Sequence, residues 1–559
     1  MPALSDIEEQ LGLSGERKGL GAYYTPPEIV EGLLRLTLDP ILADRKGAGP
    51  KAIASIRVLD PACGDGNFLV AVVERLMRSL EEAGAPPKEV GRIAIGCVVG
   101  VDLDDRAAHA CRRRLEEVTG TATSQATNAQ IWTADSLLMP HEAPLTLFAE
   151  PDAPTWNKIR AEAGAVEGFD LVIGNPPFLS QLHSETVFER RYAAELRDRF
   201  GNTASGYTEP AGLFLILGSQ LLTPAGRLCL IEPISILASR SCGGIRSLLE
   251  TSGSLEGAWF AQELVFADAA VDVWAPVFVD GSLSHETMLY VGPTMEEAGT
   301  ASLSPSDGDS WSPLLAAVRG VPQQRMSMAG ELGDVATATA DFRDQYYGLV
   351  GAVVEHSDHE QLPKLITAGL IDPAMLLWGK RPTRFNKEEF SAPCVDLELL
   401  GEEMQSWARE RLVPKVLVAT QTRVLEAIVD ENGELLPSVP VLTVESSTVD
   451  LWKIAALLSS PPISAVAARR HLGSALSSDA LKLSARDVLA LPLPADDRRW
   501  TSAASLFKQA SHARGNERHN LLRESASEMC AAYGVEGPSA LLEWWEQRLP
   551  ISTRSKENT

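Results

Sequence analysis

The sequence contains little of what marks a secreted, membrane or metal-binding protein. Its seven cysteines among 559 residues form no CxxC pair and no metal-ligand spacing, which favours reduced thiols in a cytoplasmic protein and no metal site. The amino terminus, MPALSDIEEQ, is polar and acidic rather than a signal peptide. No uninterrupted apolar run is long enough to span a bilayer, so no membrane partner is expected.

A basic excess and a nucleotide-hydrolysis motif are also absent. The net charge is -25, whereas nucleic-acid binders usually carry a basic footprint. Any nucleic-acid site must therefore be local, and solubility or an acidic host proteome explains the remaining acidity. Because no P-loop is present, no ATP-driven translocation is expected from this chain.

The length and the hydrophobic pattern predict several domains. A chain of 559 residues is too long for one core. Apolar strands alternate with helical patterns in the first half, which is typical of a mostly parallel, doubly wound α/β sheet. The predicted divisions are a polar lead-in (1–20), the sheet domain (21–285), a linker or loop-rich connection (286–333), an α+β domain (334–495) and a helical C-terminal region (496–559).

The stretch VLDPACGDGNFL places a glycine turn between a strand and a helix. Asp60 ends the strand, and Gly64 and Gly66 let a ligand approach the backbone where the helix begins. The GxGxxG fingerprint of dinucleotide sites is incomplete, because Leu69 stands at its third glycine. The acids Asp60 and Asp65 suit a ligand with an ammonium group better than a pyrophosphate.

Two further acids follow predicted strands. Asp102, in GVDLDD, stands where an acid of a doubly wound fold bonds a ribose diol. Asp135, in WTADSLL, ends the next strand and is placed to hold the exocyclic amine of an adenine. Taken in strand order at one sheet edge, these acids describe a site for a nucleoside that carries an amino acid, which is S-adenosylmethionine.

An apolar strand in DLVIGNPPF runs into a stiff polar turn. Two prolines end the strand and restrict the backbone after it, leaving Asn175 and Phe178 on a rigid turn at the sheet edge. Such a turn contributes little to folding but suits a site that must grip one flat polar molecule.

The glycine turn and NPPF together resemble the N6-adenine DNA methyltransferases of the γ class, restriction-modification type, with a C-terminal target recognition domain. The resemblance extends over most of residues 20–495. It implies a doubly wound, Rossmann-like methyltransferase sheet followed by an α+β target recognition domain and a helical C-terminal tail. It further implies site-specific methylation of adenine in double-stranded DNA, with S-adenosylmethionine as cofactor, in restriction-modification or another phage-defence system.

The resemblance also assigns cofactor-binding residues. The segment GAYYTPPEIVEGLL matches the family's first cofactor segment, in which Thr25 and Pro26 lie beside the methionine carboxylate. The segments DPACGDGNFL, GVDLDD and ADSLL match the cofactor loop, the ribose segment and the adenine segment. The implied cofactor-binding residues are Thr25, Pro26, Asp60, Pro61, Ala62, Gly64, Gly66, Asp102, Leu103, Asp135 and Ser136.

The resemblance implies catalytic roles for the NPPF turn. The adenine N6 is a poor nucleophile, and two acceptors aimed at its hydrogens favour its nucleophilic form. The Asn175 side-chain oxygen and the Pro176 carbonyl supply these acceptors, and Pro177 helps to hold that carbonyl. Phe178 stacks on the base, and Phe266, in VFADAAVDV, stacks on the flipped base.

One segment departs from the family pattern. Asp268 and Asp272 follow Phe266 where relatives often carry a basic residue near the DNA. Together with the overall acidity, this departure favours a requirement for a partner subunit in DNA binding. A cognate restriction endonuclease or another defence subunit is the candidate.

Three local basic clusters lie in the predicted recognition domain, in WGKRPTRFNK, RLVPKVLVATQTR and ARRH. Such groups suit phosphates and base edges, with solvated surface charge as the competing interpretation. The predicted DNA-binding residues are Lys380, Arg381, Arg384, Arg411, Lys415, Arg423, Arg469 and Arg470. By contrast, Cys394 is expected to be a packed cysteine, and His356 and His359 are expected in a surface loop.

Two other functions remain open. A methyltransferase acting on RNA or on protein glutamine uses NPPY-like motifs too, although such enzymes lack a large C-terminal recognition domain. A non-catalytic DNA-binding subunit of a defence complex is the second alternative, against which the intact NPPF and DPACGDG motifs argue. A fused nuclease is not expected, because the tail has no convincing PD-(D/E)xK pattern.

Overall fold

The computed structural model describes residues 24–120, 130–142, 154–178, 187–203, 210–266, 271–303, 309–341, 343–357, 361–474 and 480–550, with backbone alone at 187–190, 202 and 343. The predicted lead-in 1–20, Asp268 and His359 lie outside these residues. The chain divides into two compact units, Met1–Leu314 and Leu315–Thr559, called the first and the second unit below.

The first unit is built on one mixed sheet. Its strands are β1 (Val58–Asp60), β2 (Val98–Asp102), β3 (Gln130–Thr133), β4 (Phe169–Gly174), β5 (Leu222–Leu230), β6 (Glu232–Pro233), β7 (Gly253–Phe260), β8 (Val273–Asp280), β9 (Thr287–Val291) and β10 (Glu296–Ala301). Within the described residues the order is β10–β9–β7–β8–β5–β4–β1–β2–β3, and β6 pairs with β8. Neighbours from β3 to β5 are parallel, whereas β8 is antiparallel to β5 and β7.

Both faces of the sheet are buried. Val58 pairs with Val98 and Leu171, and all three side chains are fully buried. The adjacent residue Leu59, which points to the opposite face, is fully buried as well. Burial on both faces explains the nearly continuous apolar strands, and it confirms the predicted doubly wound α/β sheet.

Helices of the first unit follow or connect these strands. The first begins at Pro27, where the missing N–H costs nothing, and buries an apolar stripe that includes Leu33. The helices are α1 (Pro27–Lys46), α2 (Pro50–Ile53), α3 (Asn67–Glu82), α4 (Val90–Ile95), α5 (Asp105–Thr119), α6 (Trp156–Ala163), α7 (Val187–Phe200), α8 (Pro210–Gln220), α9 (Ser235–Ala238) and α10 (Gly243–Ser252), with 3-10 turns at Gly201–Thr203 and Arg240–Cys242. The next helix, α11 (Ser312–Val318), includes the point at which the chain passes from the first unit to the second.

The order in which the chain adds strands to the sheet reverses at β1. From β1 the chain passes outward to β2 and β3, and then returns to the other side of β1 as β4 and β5. In open α/β sheets, ligands bind outside the carboxyl ends of the strands at such a switch point. The ends of β1 and β4, which carry Asp60 and Gly174, therefore mark the expected site.

The prediction of a linker over 286–333 is wrong. Residues Thr287–Val291 and Glu296–Ala301 form the antiparallel pair β9–β10, which extends the main sheet through the parallel pairing of β9 with β7. The edge strand β10 is almost wholly exposed and carries two glutamates and a glycine. Its composition is that of a loop because an exposed edge strand needs no apolar face.

The second unit has several small sheets. Its strands are β11 (Met328–Glu331), β12 (Thr337–Ala340), β13 (Val353–Glu355), β14 (Lys364–Ile366), β15 (Ile371–Asp372), β16 (Met375–Leu376), β17 (Thr383–Phe385), β18 (Glu388–Phe390), β19 (Pro393–Val395), β20 (Lys415–Ala419), β21 (Glu426–Asp430), β22 (Leu435–Pro437), β23 (Leu442–Glu445) and β24 (Pro492–Pro494). Four-stranded sheets have the orders β12–β23–β20–β21 and β13–β19–β14–β22, and β11–β24, β15–β16 and β17–β18 form pairs.

Helices complete the second unit. They are α12 (Arg343–Gly348), α13 (Glu402–Arg411), α14 (Leu451–Leu458), α15 (Pro461–His471), α16 (Ala485–Leu489), α17 (Asp497–His512), α18 (Gly515–Ala532) and α19 (Ser539–Glu546), with 3-10 turns at Leu332–Asp334, Ala368–Leu370 and Leu397–Leu399. The mixture up to Pro494 agrees with the predicted α+β domain, and α17 to α19 agree with the predicted helical C-terminal region.

Two absences apply to the described part of the chain. No single helix there has the length and hydropathy to cross a membrane, and α14 and α15 reach both only as a pair bent by 57°. No group of three or more His, Cys, Asp or Glu side chains there is arranged to hold a metal ion. All seven cysteines are buried and none forms a disulfide, and the prediction that Cys394 is a packed cysteine is confirmed.

Candidate active site

The glycine turn connects β1 to α3 in the way that the sequence predicts. Gly64 and Gly66 have φ values of +53° and +91°, a left-handed backbone that glycine adopts readily. A Cβ at Gly66 would also lie 2.7 Å from the Cys111 sulfur of α5, so a side chain there is excluded sterically. The turn thus presents backbone at the start of α3, where a ligand can approach closely.

Asp60, the last residue of β1, is a buried carboxyl at the sheet edge. Its Oδ1 accepts a hydrogen bond of 3.0 Å from the Ala62 N–H. Burial raises the pKa of Asp60 to about 8, an effect that the Ala62 N–H opposes and the Asp102 carboxylate reinforces. A cationic group is the natural partner of such a carboxyl, because it would restore the charged form.

Gly174 joins the cofactor turn to the NPPF motif. It is the last residue of β4, and a Cβ built there would lie 2.9 Å from Asp60 Cγ and closer still to its Oδ1. Only glycine therefore fits at this position while Asp60 keeps its place. The two motifs, which lie far apart in the sequence, are in direct van der Waals contact through this glycine.

The Asn175 carboxamide is oriented by the first helical segment. Its Nδ2 donates a hydrogen bond of 3.1 Å to the Thr25 hydroxyl, which is itself buried just before α1. The predicted cofactor residue Thr25 therefore contacts the predicted catalytic residue directly. Pro176 and Pro177 follow in a segment without regular secondary structure. Next to Thr25, the Pro26 carbonyl accepts hydrogen bonds from the N–H groups of Ile29 and Val30 in the first turn of α1.

Phe178 and Phe266, which the sequence predicts to stack on the target base, lie against each other. Their ring centroids are 5.8 Å apart with an interplanar angle of 59°. Phe178 is half-buried, but Phe266 is only 3% exposed and belongs to the core of the first unit. A base that stacks on Phe266 therefore requires that ring to become more exposed than it is here.

Asp102 and Asp135 lie at the predicted strand ends and support the backbone around them. Asp102 accepts hydrogen bonds from the N–H groups of Gly64 and Asp104 at 2.8 and 2.9 Å. Asp135 accepts from the N–H groups of Leu137 and Leu138 at 2.9 and 3.0 Å. Each carboxylate retains further acceptor capacity, since its two oxygens offer about four lone-pair sites.

Among the other residues considered for cofactor binding, one is exposed and two are engaged in contacts within the protein. Leu103, directly after Asp102, is 65% exposed, which is unusual for leucine and leaves it available for an apolar contact. Ser136 is buried, and its hydroxyl donates to the Pro61 carbonyl at 2.6 Å. Asp65, an acid considered for an ammonium ligand, instead pairs with Arg114 of α5 at 3.1 Å.

One residue near the site was missed. Tyr192 of α7 hydrogen-bonds through its hydroxyl to Asp135, and burial together with this carboxylate raises the pKa of Tyr192. The helix follows the NPPF turn in the chain and returns to the adenine segment, which no local motif reveals. Only the length of the connection between β4 and β5 indicates that an additional element lies there.

The predicted DNA-binding residues differ widely in exposure. Arg384 is 79% exposed on its side chain, and Lys380 and Arg423 are also exposed. Arg469 and Arg470 are half-buried at the end of α15, and Arg470 donates to the Ala490 carbonyl at 3.0 Å. The exposed cations remain predictions for DNA contact.

Lys415 does not fit the predicted role. Its side chain is 0% exposed, and its Nζ bonds Asp430 at 2.6 Å within the β20–β21 pair. Arg411 is also largely buried and pairs with Asp341 at 3.0 Å. The prediction that Lys415 contacts DNA is therefore wrong, because reaching a phosphate would leave Asp430 buried without its cation.

The comparisons with known proteins agree with this fold. The Type IIL restriction-modification enzyme MmeI, solved in complex with DNA, superposes with a TM-score of 0.58 at 14% identity, covering 96% of this chain and 80% of that chain. The cryo-EM structure of the DrdV–DNA complex gives a TM-score of 0.51 at 12% identity, covering 90% and 58%. The chain therefore shares the mixed α/β fold of these two solved structures.

The family-model match lies within the first unit, and the curated relatives share only part of their length with this chain. Residues 96–260 match the model of the Eco57I restriction-modification methylase family. The Type II methyltransferase M.BstVI of Geobacillus stearothermophilus is 34% identical over 182 residues, which cover 31% of this chain and 28% of that relative. The adenine-specific methyltransferase PglX of Streptomyces coelicolor is 25% identical over 228 residues, covering 36% and 18%.

Proposed function

We propose that this protein transfers a methyl group from S-adenosylmethionine to N6 of an adenine in double-stranded DNA, at a specific sequence, in restriction-modification or another defence system. The observation that carries the proposal is the contact between the two motifs: Gly174 packs on Asp60, and Asn175 follows it with its carboxamide held by Thr25. Cofactor turn and catalytic turn thus meet at the switch point of the sheet.

The residues at the strand ends fit S-adenosylmethionine. The left-handed glycine turn leaves room for a ligand against the backbone, and the buried Asp60 suits its ammonium group. Asp102 retains acceptor capacity for the ribose diol, and Leu103 offers an exposed apolar surface to the adenine. When bound, the cofactor supplies an activated methyl group on its sulfonium.

The NPPF turn performs the protein's part of the reaction. The Asn175 oxygen and the Pro176 carbonyl accept the two N6 hydrogens of the target adenine and so favour the nucleophilic form of the amine. Thr25 holds the Asn175 nitrogen, which directs the oxygen of that carboxamide to the opposite side. Phe178 and Phe266 stack on the base and offset part of the cost of flipping it from the duplex.

Replacing Asn175 by alanine tests the proposal. We expect purified Asn175→Ala to transfer tritiated methyl groups to duplex DNA about 10²–10³-fold more slowly, the usual effect of removing one preorganised polar contact. Its affinity for S-adenosylmethionine, measured by calorimetry, is expected to change little. Asn157→Ala, at an exposed position on α6, is the matched control and is expected to behave as wild type.

The product and the substrate distinguish the alternatives. Nucleoside analysis of labelled DNA is expected to show N6-methyl-2′-deoxyadenosine. RNA and protein are expected to remain unlabelled in parallel reactions. Labelling of RNA or protein alone, or an undiminished rate in Asn175→Ala, would refute the proposal. Failure of the wild-type chain to bind S-adenosylmethionine would instead favour a non-catalytic DNA-binding subunit.

A further inference from the structure

Helix α5 contacts the glycine turn through an arginine. Arg114 Nη1 lies 3.1 Å from Asp65 Oδ2 and donates a hydrogen bond of 3.0 Å to the Asp65 backbone carbonyl. The same nitrogen donates a hydrogen bond of 2.9 Å to the Asn67 side-chain oxygen. Because Asp65 and Asn67 lie on either side of Gly66, one nitrogen of α5 joins the two flanks of the turn.

A second residue of the same helix packs against the turn. Cys111 is fully buried, and a Cβ at Gly66 would lie 2.7 Å from its sulfur. Helix residues three positions apart are neighbours on one face, so Cys111 and Arg114 meet the turn together. The left-handed Gly66 thus packs on Cys111, while Arg114 bonds the residues before and after it.

The strand before α5 supports the turn as well. β2 ends at Asp102, whose Oδ2 accepts a hydrogen bond of 2.8 Å from the Gly64 N–H. Helix α5 begins at Asp105, so the strand end and the helix belong to one short segment of chain. Asp102 is also the acid predicted to bond the ribose diol. The segment expected to bind the nucleoside therefore also shapes the turn expected to bind the amino-acid part of the cofactor.

The bonds to Arg114 engage two side chains that could otherwise occupy the turn. An asparagine oxygen at a helix start readily accepts hydrogen bonds from nearby backbone N–H groups, but Asn67 Oδ1 is bonded to Arg114. An unpaired Asp65 carboxylate would compete with Asp60 for an ammonium group, but it is paired with Arg114. Gly66, at the N-cap of α3, has no side chain with which to cap the helix. The start of α3 is thereby left open to a polar ligand group.

We propose that Arg114 is a positioning residue for the cofactor: by bonding Asp65 and Asn67 it holds residues 64–66 in the backbone form that binds S-adenosylmethionine. The inference rests on the proposed function, in which this turn is part of the cofactor site. Arg114 acts through the turn, and the role requires no contact of its own with cofactor or DNA.

The effect of Arg114 comes from its hydrogen bonds more than from its charge. Its side chain is 33% exposed and that of Asp65 is 26% exposed, so solvent screens the ion pair. Hydrogen bonds from a charged donor are stronger than neutral ones, and glycine backbone released from them has many conformations to sample. A turn that is ordered only when the ligand arrives binds more weakly, because the ordering then opposes binding.

Calorimetric titration of full-length variants with S-adenosylmethionine tests the inference. We expect Arg114→Met, which keeps an aliphatic stem but has no donor, to weaken binding by about 10-fold, the usual effect of losing a bond from a charged group. In methylation of duplex DNA the KM for the cofactor should rise by a similar factor, while kcat at saturating cofactor stays within about twofold, because the NPPF turn is unaltered. Arg113→Met, at an exposed position of the same helix, is the matched control and should bind as wild type.

The conservative variant separates hydrogen bonding from packing. All three contacts of Arg114 come from Nη1, and lysine offers one nitrogen with three N–H donors. We therefore expect Arg114→Lys to regain most of the affinity that Arg114→Met loses. If the lysine variant bound as weakly as the methionine variant, hydrogen bonding from this position would not be what holds the turn.

Two variants on the turn itself separate the contacts. In Asp65→Asn the bonds of Arg114 to the backbone carbonyl and to Asn67 remain, so affinity should fall by no more than about twofold. A loss as large as that in Arg114→Met would assign the effect to the Asp65 carboxylate and contradict the inference. Asn67→Ala removes one bond from the other side and should weaken binding by about threefold. It decides the matter if Arg114→Met does not fold, because wild-type affinity in Asn67→Ala would then overturn the inference.

Each failure has a separate meaning. A wild-type chain that does not bind S-adenosylmethionine would refute the proposed function itself. Binding by wild type with equal affinity in Arg114→Met would overturn only the role of Arg114. A lower kcat in Arg114→Met with an unchanged KM for the cofactor would also overturn that role, because the residue would then act on the chemical step rather than on the cofactor turn.

Discussion

Asp60 in the first unit and Glu426 in the second are both buried carboxyls with raised pKa values, but their surroundings differ. Asp60 accepts a backbone hydrogen bond, packs against Gly174 and lies beside the glycine turn. Glu426 has no such internal bond in the described residues and faces a wide cavity with three arginines. The Asp60 carboxyl is thus packed closely at a strand end, whereas the Glu426 carboxyl lines an open cavity.

The difference shows how the two units divide polar chemistry. At the sheet edge of the first unit, carboxylates such as Asp102 and Asp135 hold backbone turns as well as facing the site. In the second unit, buried charge either pairs internally, as Lys415 does with Asp430, or is directed into the cavity. Variants of these residues test the two arrangements when unfolding and ligand binding are measured separately.

The largest expected effect concerns the internal pair of the second unit. Lys415→Met leaves Asp430 buried without its cation, which typically costs about 3–5 kcal/mol in unfolding free energy. We expect the lower end of this range, because the N–H groups of Gly433, Glu434 and Leu435 still bond Asp430. Denaturant unfolding measures the loss, and the exposed Lys380→Met serves as control. An unaltered midpoint in Lys415→Met would mean that this lysine is not structural.

A smaller effect is expected where the two motifs of the first unit touch. Gly174→Ala places a methyl group against the Asp60 carboxyl, and such overpacking typically costs about 1–3 kcal/mol. Because Asp60 must move, we expect weaker binding of S-adenosylmethionine in calorimetry as well as a lower melting temperature. Gly47→Ala is the matched control, since a Cβ there meets nothing within 4 Å. Equal cofactor affinity in both variants would show that Asp60 has no role in binding.

The smallest expected effect is the release of a proton from Asp60 when S-adenosylmethionine binds. Burial raises the pKa of Asp60 to about 8, so the carboxyl is mostly protonated at pH 7 in the free protein. A cationic ligand lowers that pKa, so binding of S-adenosylmethionine at pH 7 is expected to release up to about one proton. Calorimetry in buffers of different ionisation enthalpy measures the release, which should disappear above about pH 9 and in Asp60→Asn. Asp44→Asn, exposed on α1, should retain it.

Much of the first unit could be predicted from its sequence. Asp60, Asp102 and Gly174 each end a strand of the parallel part of the sheet, so their shared edge follows from strand direction alone. Motifs with special residues mark these ends because a left-handed turn or a diproline cannot occur within a regular strand. The contact of Tyr192 with Asp135 could not be predicted, since it depends on how a long connection returns to the sheet.

The second unit was harder to predict because charge alone does not reveal burial. Lys415 and Arg423 lie in the same basic stretch, yet one is buried in a strand and the other is exposed in a turn. The strand from Lys415 to Ala419 is buried at every position, which leaves no alternation to distinguish the faces. The cavity beside Glu426 also has no local signal in the sequence, because segments far apart in the chain form its walls.

The hydrogen bond between Thr25 and Asn175 connects residues 150 positions apart. Closing so long a loop is entropically costly, and contacts of this kind form only when the intervening chain is already organised. The glycine turn, in contrast, depends on nearer parts of the chain, namely β1, α3 and Asp102 of β2, which accepts a hydrogen bond from the Gly64 N–H. A nascent or partly denatured chain could therefore retain the turn while its carboxamide points at random. If the proposed function holds, methyl transfer would then require a more completely folded chain than the binding of S-adenosylmethionine does.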